Sequence, residues 1–261
     1  MNLDNKKILL TGAGGLLGRT YIKSMLDAGA IVIATELPGK RADALCKLYG
    51  SDKNFFYFDL DVSSEDEIEK LFKHLKYQKY IPNVFINNAA ITGELLMGSG
   101  KKFPNLSNTK LEDWKKTIDV NLTGPFLIAR QIDRDIVRNN KITLINIASM
   151  YALNAPHHEI YNQMPFKSFS AYSASKAGVH GLTLWLSSYW SKWGANVNTL
   201  APGAVFNGHS DVFQKRISKL LMLKRMADPS EISKVILFLC SDNSRYMTGQ
   251  LINVDGGFSA W

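Results

Sequence analysis

The sequence contains very little cysteine: Cys46 and Cys240 are the only two among 261 residues. Both lie in apolar helical patterns and lack the spacing of metal ligands. Neither a disulfide framework nor a cysteine-based metal site is therefore predicted. Such a chain suits a reducing compartment, and we expect a cytoplasmic protein.

Long apolar runs are also missing. No run reaches the roughly 18 residues that a membrane span requires. Asp4 stands where a signal peptide would be basic, and glycines interrupt the apolar segment that follows it. We therefore expect no membrane segment and no secretion signal.

Blocks of like charge are absent as well, although the formal net charge is +8. Nucleic-acid binding is the alternative that this charge raises. The basic residues are scattered along the chain, without five or six of one sign together, which favours general solubility or an anionic substrate instead. We expect no nucleic-acid partner.

What the sequence does contain is a regular alternation of short apolar strands with helical patterns. Residues 7–10 read as a strand, Thr11 to Gly18 as a glycine-rich loop, and Leu17 to Ala28 as a helix. Glycines let the backbone approach a ligand, and amides at a helix N-terminus favour an anion such as a pyrophosphate. An ordinary tight turn is the alternative. The alternation predicts an α/β fold with a parallel sheet covered on both faces.

The second predicted strand, residues 31–35, ends in Glu36. In a dinucleotide-binding fold, an acid at this point accepts hydrogen bonds from the adenosine ribose and repels a 2′-phosphate. This favours NAD over NADP, although Lys40 and Arg41 follow closely. A solvated carboxylate at a strand end is the alternative.

Polar residues follow the next two strands. Residues 54–60 lead into Asp61-Val62. Ser63 and Ser64 follow, with Asp66 and Glu67 three residues on, a capping-box pattern that begins a helix to about Tyr77. Residues 84–86 lead into Asn87-Asn88-Ala89-Ala90, where small side chains permit close approach of a ligand.

A long helix is predicted from Thr109 to about Asn140. Asn121, Gly124 and Pro125 lie inside it and disfavour a regular helix, so we expect a bend or a functional role there. The strand at 141–147 follows and leads to Ser149.

The helix predicted from Ser170 to Trp193 begins with the segment Tyr172-Ser173-Ala174-Ser175-Lys176. Residues four apart share one helix face, so a phenol and an ammonium lie together. A nearby cation favours the ionised phenol, which suits acid or base catalysis. An amphipathic helix with both groups on its surface is the alternative.

Three loops flank these elements at 93–106, 151–169 and 206–222, and long loops in compact domains are often functional. The last of them looks mobile. Asp228 and Glu231 then begin another helix, and the last strand is predicted at 251–254.

Taken in order, these motifs resemble those of the short-chain dehydrogenase/reductase family, over essentially the whole chain. Thr11 to Gly18 resembles its glycine motif, Asp61-Val62 its adenine contact, and Asn87 to Ala90 its Asn-Asn-Ala-Gly stretch. Pro202-Gly203 and the closing segment 249–257 also fit. The positions that match the family's catalytic residues are Asn121, Ser149, Tyr172 and Lys176.

The resemblance implies a single Rossmann-type domain over residues 1–261, with a seven-stranded sheet, a nicotinamide cofactor and a homodimer or homotetramer packed through long helices. It implies that Tyr172 exchanges a proton with an alcohol or ketone, that Lys176 lowers the pKa of Tyr172 and holds the ribose, that Ser149 positions the substrate oxygen, and that Asn121 holds a relay water. The implied cofactor contacts are Gly12, Gly14, Gly15, Gly18, Glu36, Asp61, Val62, Asn88, Ala89, Tyr172, Lys176, Pro202, Gly203 and Val205.

Three positions depart from the family pattern. Leu16 replaces a motif glycine and narrows the space beneath the pyrophosphate, and Ala90 replaces a glycine. Asn207 stands where a threonine commonly meets the nicotinamide carboxamide. Ser149 and Tyr172 are also farther apart than usual, so we expect the extended loop between them to hang over the pocket.

That loop is the clue to the substrate. Its polar side chains favour a sugar or sugar phosphate as the substrate over a steroid or acyl chain. The loop also resembles that of a bacterial subgroup of the family that is linked to surface-glycan sugars. A surface loop that meets no ligand is the alternative. Adjacent residues such as His157, His158 and Glu159 rarely converge on one ion, so we expect no metal. The polar side chains of the extended loop are His157, His158, Tyr161, Asn162 and Gln163.

A nicotinamide-binding regulator or scaffold with little catalysis is the alternative to an enzyme.

Overall fold

Seven parallel strands form the centre of the fold in a computed structural model of the chain, which describes residues 1–93 and 104–261. The strands lie side by side in the order β3-β2-β1-β4-β5-β6-β7, and every neighbouring pair is parallel. The predicted fold class is confirmed. The strands are β1 (Lys7–Thr11), β2 (Ile31–Glu36), β3 (Phe55–Asp59), β4 (Val84–Asn87), β5 (Thr143–Ile147), β6 (Asn196–Pro202) and β7 (Leu251–Val254).

Helices connect the strands and cover both faces of the sheet. Among the described residues, no helix is long and apolar enough to cross a membrane. The α-helices are α1 (Leu16–Asp27), α2 (Lys40–Tyr49), α3 (Glu65–Tyr77), α4 (Leu111–Ile118), α5 (Gly124–Asp135), α6 (Ser170–Tyr189), α7 (Asp211–Lys219) and α8 (Pro229–Cys240). Short 3-10 turns lie at Leu106–Asn108, Met150–Ala152, His158–Tyr161, Ser191–Trp193, Asp242–Ser244 and Phe258–Ala260.

Each central strand contributes side chains to two cores because successive residues point to opposite faces of a sheet. In β1, Ile8 and Leu10 pack in the core beneath α1 and α8, whereas Leu9 packs in the core beneath α3 and α5. A strand covered on both faces can be apolar throughout, as parallel strands usually are. The apolar runs of the sequence therefore predicted buried strands correctly.

Two helix starts follow their predicted capping patterns. The Ser64 hydroxyl accepts a hydrogen bond from the amide of Glu67 at 3.3 Å, at the start of α3. Asp228 and Glu231 complete a reciprocal capping box at the start of α8. Each cap satisfies amides that have no partner inside the helix.

The helix predicted over 109–140 is wrong as one continuous helix. It divides into α4, a π-helical turn at Asp119–Thr123, and α5. Pro125 is the cause of this division that the sequence itself supplies. Because proline has no backbone N–H, it cannot continue the regular series of helical hydrogen bonds. The turn carries Asn121, so the expected irregularity falls on a predicted site residue.

The prediction of a mobile segment at 206–222 is wrong for residues 211–219, which form α7. Ser210 caps this helix by accepting from the Phe213 amide, and Phe213 and Ile217 bury one face. Of the predicted loop at 93–106, residues 94–103 lie outside the described residues.

The strand order reverses between β1 and β4, which are neighbours in the sheet although β2 and β3 separate them in sequence. Connections leave these two strands toward opposite faces, and a crevice opens beyond their carboxyl ends. Ligands of doubly wound sheets bind in such crevices.

Candidate active site

A cavity of about 1140 Å³ lies at the carboxyl ends of the strands. Six strand ends contribute to its lining: Gly12 after β1, Glu36 at the end of β2, Leu60 after β3, Asn88 after β4, Ser149 after β5 and Pro202 at the end of β6. Side chains that are far apart in sequence meet here because all the strands run in one direction.

The glycine loop packs closely against the residues that follow β4. Gly12 has a φ of +64°, and a Cβ at this position would lie 2.5 Å from the Cα of Ala89. The Asn88 side-chain amide donates to the carbonyls of Thr11 and Gly12 at 3.1 and 2.9 Å. Glycine is needed at position 12 both for its backbone conformation and for this close approach.

Two glycines of the loop have supporting places rather than a place in the cavity wall. A Cβ at Gly18 would lie 2.5 Å from the carbonyl oxygen of Gly12. The Gly14 amide donates to the Glu36 carboxylate at 2.8 Å. Gly15 lines the cavity and precedes the first turn of α1, where no side chain of the described residues caps the amides. Uncapped amides at a helix N-terminus suit a bound phosphate.

Acidic side chains border the same end of the cavity as the glycine loop. The second carboxylate oxygen of Glu36 accepts from the Leu37 amide at 3.1 Å, so both of its oxygens are held. Asp61 accepts from the amide and hydroxyl of Ser63 at 2.9 and 2.6 Å. Arg41, which the sequence placed close behind Glu36, also lines this end, as does Val62.

Tyr172 and Lys176 lie on one face of α6, as their spacing predicted. The Lys176 ammonium is 5.7 Å from the centre of the Tyr172 ring and donates to the Ile147 carbonyl at 2.7 Å. Its side chain is only 3% exposed. Burial lowers the pKa of Lys176 to about 8, because removing an ammonium from water disfavours its charged form.

The pKa of Tyr172 is raised in this structure, which is opposite to the net direction expected from a neighbouring cation. Burial is the main cause, since a phenolate loses more hydration than a phenol does. Hydrogen bonding from Ser149 acts in the opposite direction. A protonated phenol therefore faces the cavity.

Ser149 lies two residues beyond the end of β5 and is 8% exposed. Its hydroxyl oxygen accepts from the backbone amide of Tyr151 at 3.2 Å. That bond occupies a lone pair of the oxygen and helps to fix the side chain beside Tyr172.

Asn121 is buried behind the cavity instead of lining it. Its side-chain oxygen accepts from the Ile91 amide at 2.7 Å, and its nitrogen donates to the Ile91 carbonyl at 3.1 Å and to the Ser175 hydroxyl at 3.2 Å. The side chain thus joins the end of β4 to α6. These bonds engage both ends of the side-chain amide.

The segment after β6 closes the cavity on the side of β7. A Cβ at Gly203 would lie 2.5 Å from the Cα of Asp255, so glycine is required by close packing of two backbones. Pro202, Gly203 and Val205 line the cavity. Asn207 also lines it, is exposed, and donates its backbone amide to the His209 Nδ1 at 3.2 Å.

The extended loop lines the cavity with aromatic side chains, which corrects the prediction of a polar wall. Of the five polar residues predicted there, only Tyr161 borders the cavity, whereas His157, His158, Asn162 and Gln163 are exposed. The turn at His158–Tyr161 buries Ile160 and Tyr161 against α7 and leaves its polar neighbours outside. The loop residues that border the cavity are Tyr151, Tyr161, Phe166, Lys167, Ser168 and Phe169.

Other lining residues were not predicted. Tyr151 could have been found, since it follows Ser149 closely beyond a strand end. Phe213 could have been predicted as a lining residue only if the helix α7 had been recognised. For Lys115 and Lys116 of α4, nothing in the local sequence except their charge indicates that they line the cavity. Among the described residues, no group of three His, Cys, Asp or Glu side chains could hold a metal ion.

A doubly wound parallel sheet, with a phenol and a buried ammonium on the same cavity as a glycine loop, is typical of an oxidoreductase of the dinucleotide-binding class. Comparison with known proteins gives the family. A family model described as enoyl-(acyl carrier protein) reductase matches residues 13–259. The chain belongs to the short-chain dehydrogenase/reductase family, which confirms the resemblance drawn from its motifs.

Similar proteins cover almost the entire chain. The 3-oxoacyl-(acyl-carrier-protein) reductase FabG of Thermotoga maritima is 29% identical and covers 98% of this chain and 99% of its own. Galactitol 2-dehydrogenase of Rhizobium johnstonii is 28% identical over 99% of this chain and 97% of its own. A short chain dehydrogenase from Leptospira borgpetersenii, whose structure was solved with bound NAD+, is 29% identical in sequence. The two structures superpose with a TM-score of 0.87, over 99% of this chain and 94% of the Leptospira chain.

Proposed function

We propose that this protein transfers a hydride between NAD and a secondary alcohol or ketone, with Tyr172 as the general acid and base. The observation that carries the proposal is the meeting of Ser149, Tyr172 and Lys176 on one cavity with the glycine loop at its other end. The NAD+ bound to the similar Leptospira protein supports a nicotinamide cofactor.

The residues at the loop fit such a cofactor. Gly12 and Gly15 leave the backbone open to the cavity, and the first amides of α1 would bind a pyrophosphate. Gly14 and Gly18 support the loop from behind. The nicotinamide would supply the hydride acceptor or donor, and Lys176 would bind the adjoining ribose.

Proton transfer falls to Tyr172. Burial keeps its phenol protonated, so in the reductive direction it can donate to the carbonyl oxygen as that oxygen gains charge. In the oxidative direction, the phenolate that accepts a proton is stabilised by the nearby Lys176 cation. The pair thus serves both directions.

Ser149 would orient the substrate oxygen. Its hydroxyl is held by the Tyr151 amide, and the residue is 8% exposed. A hydrogen bond to developing charge is worth most where water is excluded. Asn121 fixes the end of β4 against α6 and would contribute to proton relay.

The preference for NAD rests on Glu36. Its carboxylate is anchored to the Gly14 amide at the end of the cavity where an adenosine ribose would lie, and it would repel a 2′-phosphate. Asp61 and Val62 would border the adenine.

A sugar or sugar phosphate is the substrate class that we propose. The similar galactitol 2-dehydrogenase supports it, although other similar proteins are named for acyl carrier protein substrates. Aromatic walls accommodate sugar rings as well as acyl chains, so the support within the site comes from its phenol hydroxyls.

We also propose a homodimer or homotetramer. Trp185 is 60% exposed on α6, and Leu184 and Tyr189 lie near it on the same helix, with Phe126 exposed on α5. Large apolar side chains grouped on a surface mark contact sites between proteins.

The decisive experiment is a screen of phosphorylated and nucleotide-linked sugars beside simple secondary alcohols, with NAD and NADP in parallel. For any substrate found, Tyr172→Phe should lower kcat at least about 100-fold, since general acid and base catalysis contributes that much. Tyr246→Phe is the matched control because Tyr246 is fully exposed. Unchanged turnover in Tyr172→Phe would overturn the mechanism. Tight NAD binding without turnover across the panel would favour the regulator or scaffold.

A further inference from the structure

Tyr151 and Tyr161 form a hydrogen-bonded pair of phenols in the wall of the active-site cavity. Their hydroxyl oxygens are 2.7 Å apart, and the side chains are 8% and 7% exposed. Tyr151 follows Ser149 by two positions, whereas Tyr161 comes from the extended loop. The pair therefore joins the reacting end of β5 to the part of the chain that departs most from its family.

Both phenols border the same cavity as Tyr172. Burial is the main reason why the pKa of Tyr151 is raised, and the nearby Tyr172 phenol raises it further, while the hydrogen bond from Tyr161 lowers it. Either hydroxyl can be the donor of the bond between them. When Tyr161 donates, the proton of Tyr151 is available to a group in the cavity.

The rings around the pair are apolar. Tyr161 contacts Phe166 and Phe213 with ring centres 5.9 and 5.8 Å apart, and Tyr151 contacts Phe258 at 6.0 Å. A hydroxyl that meets no acceptor in such surroundings costs free energy. A ligand oxygen that accepts from Tyr151 therefore binds better than a ligand without one.

Contacts on both sides hold the pair in place. The Tyr151 backbone amide is bound to the Ser149 hydroxyl, and the Arg216 guanidinium of α7 donates to the carbonyls of Ile160 and Asn162, which flank Tyr161. A preformed pair loses little entropy when a ligand binds.

We propose that Tyr151, supported by Tyr161, binds an oxygen on the substrate carbon next to the reacting carbon. In the proposed function Ser149 and Tyr172 hold the reacting oxygen. The backbone amide of Tyr151 is bonded to Ser149, and Tyr151 belongs to the cluster of side chains against which Tyr172 packs. The preferred substrates are then vicinal diols and α-hydroxy ketones. The inference deepens the proposed function and rests on it for the identity of the reacting oxygen.

The test compares butane-2,3-diol with butan-2-ol in NAD-linked oxidation. The wild type should prefer the diol by at least about tenfold in kcat/KM, because a site built to hydrogen-bond a hydroxyl rejects the analogue that lacks it. Tyr151→Phe should lower this ratio at least about fivefold while keeping the backbone amide that holds Ser149. Tyr161→Phe should lower it less, because Tyr151 retains its hydroxyl.

Tyr246→Phe, at a fully exposed tyrosine, should keep the wild-type ratio. A wild-type ratio near one, or an unchanged ratio in Tyr151→Phe, would overturn the inference and leave the proposed function standing. If neither alcohol is oxidised, saturation-transfer NMR of the diol with the NAD-loaded protein decides separately. If the diol binds more weakly to Tyr151→Phe than to the wild type, the inference is supported even though no turnover is seen. If the diol binds equally to both proteins, or does not bind to the wild type, the inference is overturned.

Discussion

The ammonium of Lys176 donates a hydrogen bond of 2.7 Å to the carbonyl oxygen of Ile147, the last residue of β5. This bond ties α6, which carries Tyr172, to the strand that leads to Ser149. The proposed catalytic groups thus share one support, although they come from separate parts of the chain.

Stability should depend on pH through Lys176. Its pKa is lowered from 10.5 to about 8 in the folded protein, so folding is penalised by the buried charge below pH 8. Between these values the unfolded chain binds a proton that the folded chain has released. The penalty is therefore relieved as the pH rises from about 8 to about 10.5.

Urea unfolding of the wild type and Lys176→Met at pH 7.5 and 9.5 checks this prediction. The free energy of unfolding of the wild type, relative to the variant, should rise by on the order of 2 kcal/mol. Lys70→Met, at an exposed position of α3, should follow the wild type. Parallel pH dependences of the wild type and Lys176→Met would contradict the assignment.

Gly12→Ala should destabilise the protein by at least about 2 kcal/mol. An L-residue is strained at a φ of +64°, and the new Cβ would meet the Ala89 backbone at 2.5 Å. Gly181→Ala on α6 is the matched control, because its Cβ meets nothing within 4 Å and a helical alanine is favoured by about 0.5–1 kcal/mol. Denaturant unfolding measures both, and equal stabilities would contradict the close approach.

Glu36→Ala should shift the cofactor preference toward NADP. The substitution removes a carboxylate that would repel a 2′-phosphate and leaves Arg41 at the same end of the cavity. The ratio of kcat/KM for NAD to that for NADP should fall at least about tenfold, the effect of about 1.4 kcal/mol. Glu159→Ala, on the exposed turn of the extended loop, should keep the wild-type ratio. A preference that survives Glu36→Ala would place its origin elsewhere.

Trp185→Glu should weaken the proposed assembly by placing a charge among the exposed apolar side chains of α6. Sedimentation velocity should show a smaller species for this variant than for the wild type. Tyr77→Glu is the control, since Tyr77 is 83% exposed at the end of α3, away from these side chains. A wild type that sediments as a monomer would refute the proposal itself.

Local patterns predicted the elements well where their cause is local. Burial on both faces makes strands such as β5 apolar throughout, and the caps at Ser64 and Asp228 are formed by residues within one turn of each other. The division of the helix at 109–140 also has a local cause in Pro125, although its π-helical form does not follow from the sequence pattern. The helix α7 was missed because its capping serine stands within a segment that otherwise reads as loop.

Predictions about the surroundings of a side chain fared differently. The sequence placed Tyr172 beside Lys176 through helical spacing, yet the pKa of Tyr172 depends on how much water the fold removes from the phenol. Asn121 was predicted to hold a relay water, and the structure adds that its side chain bonds to Ile91 and Ser175, contacts that require two other elements to be in place.

By itself, the sequence determined the parallel α/β fold, the family and the order of the motifs, because strand periodicity, glycine spacing and helix caps act over a few residues. Only the tertiary structure decided which side chains of the extended loop face the cavity. Packing of Ile160 and Tyr161 against α7 turns two phenols inward and the histidines outward. That choice depends on burying apolar surface between distant segments, which no local pattern specifies.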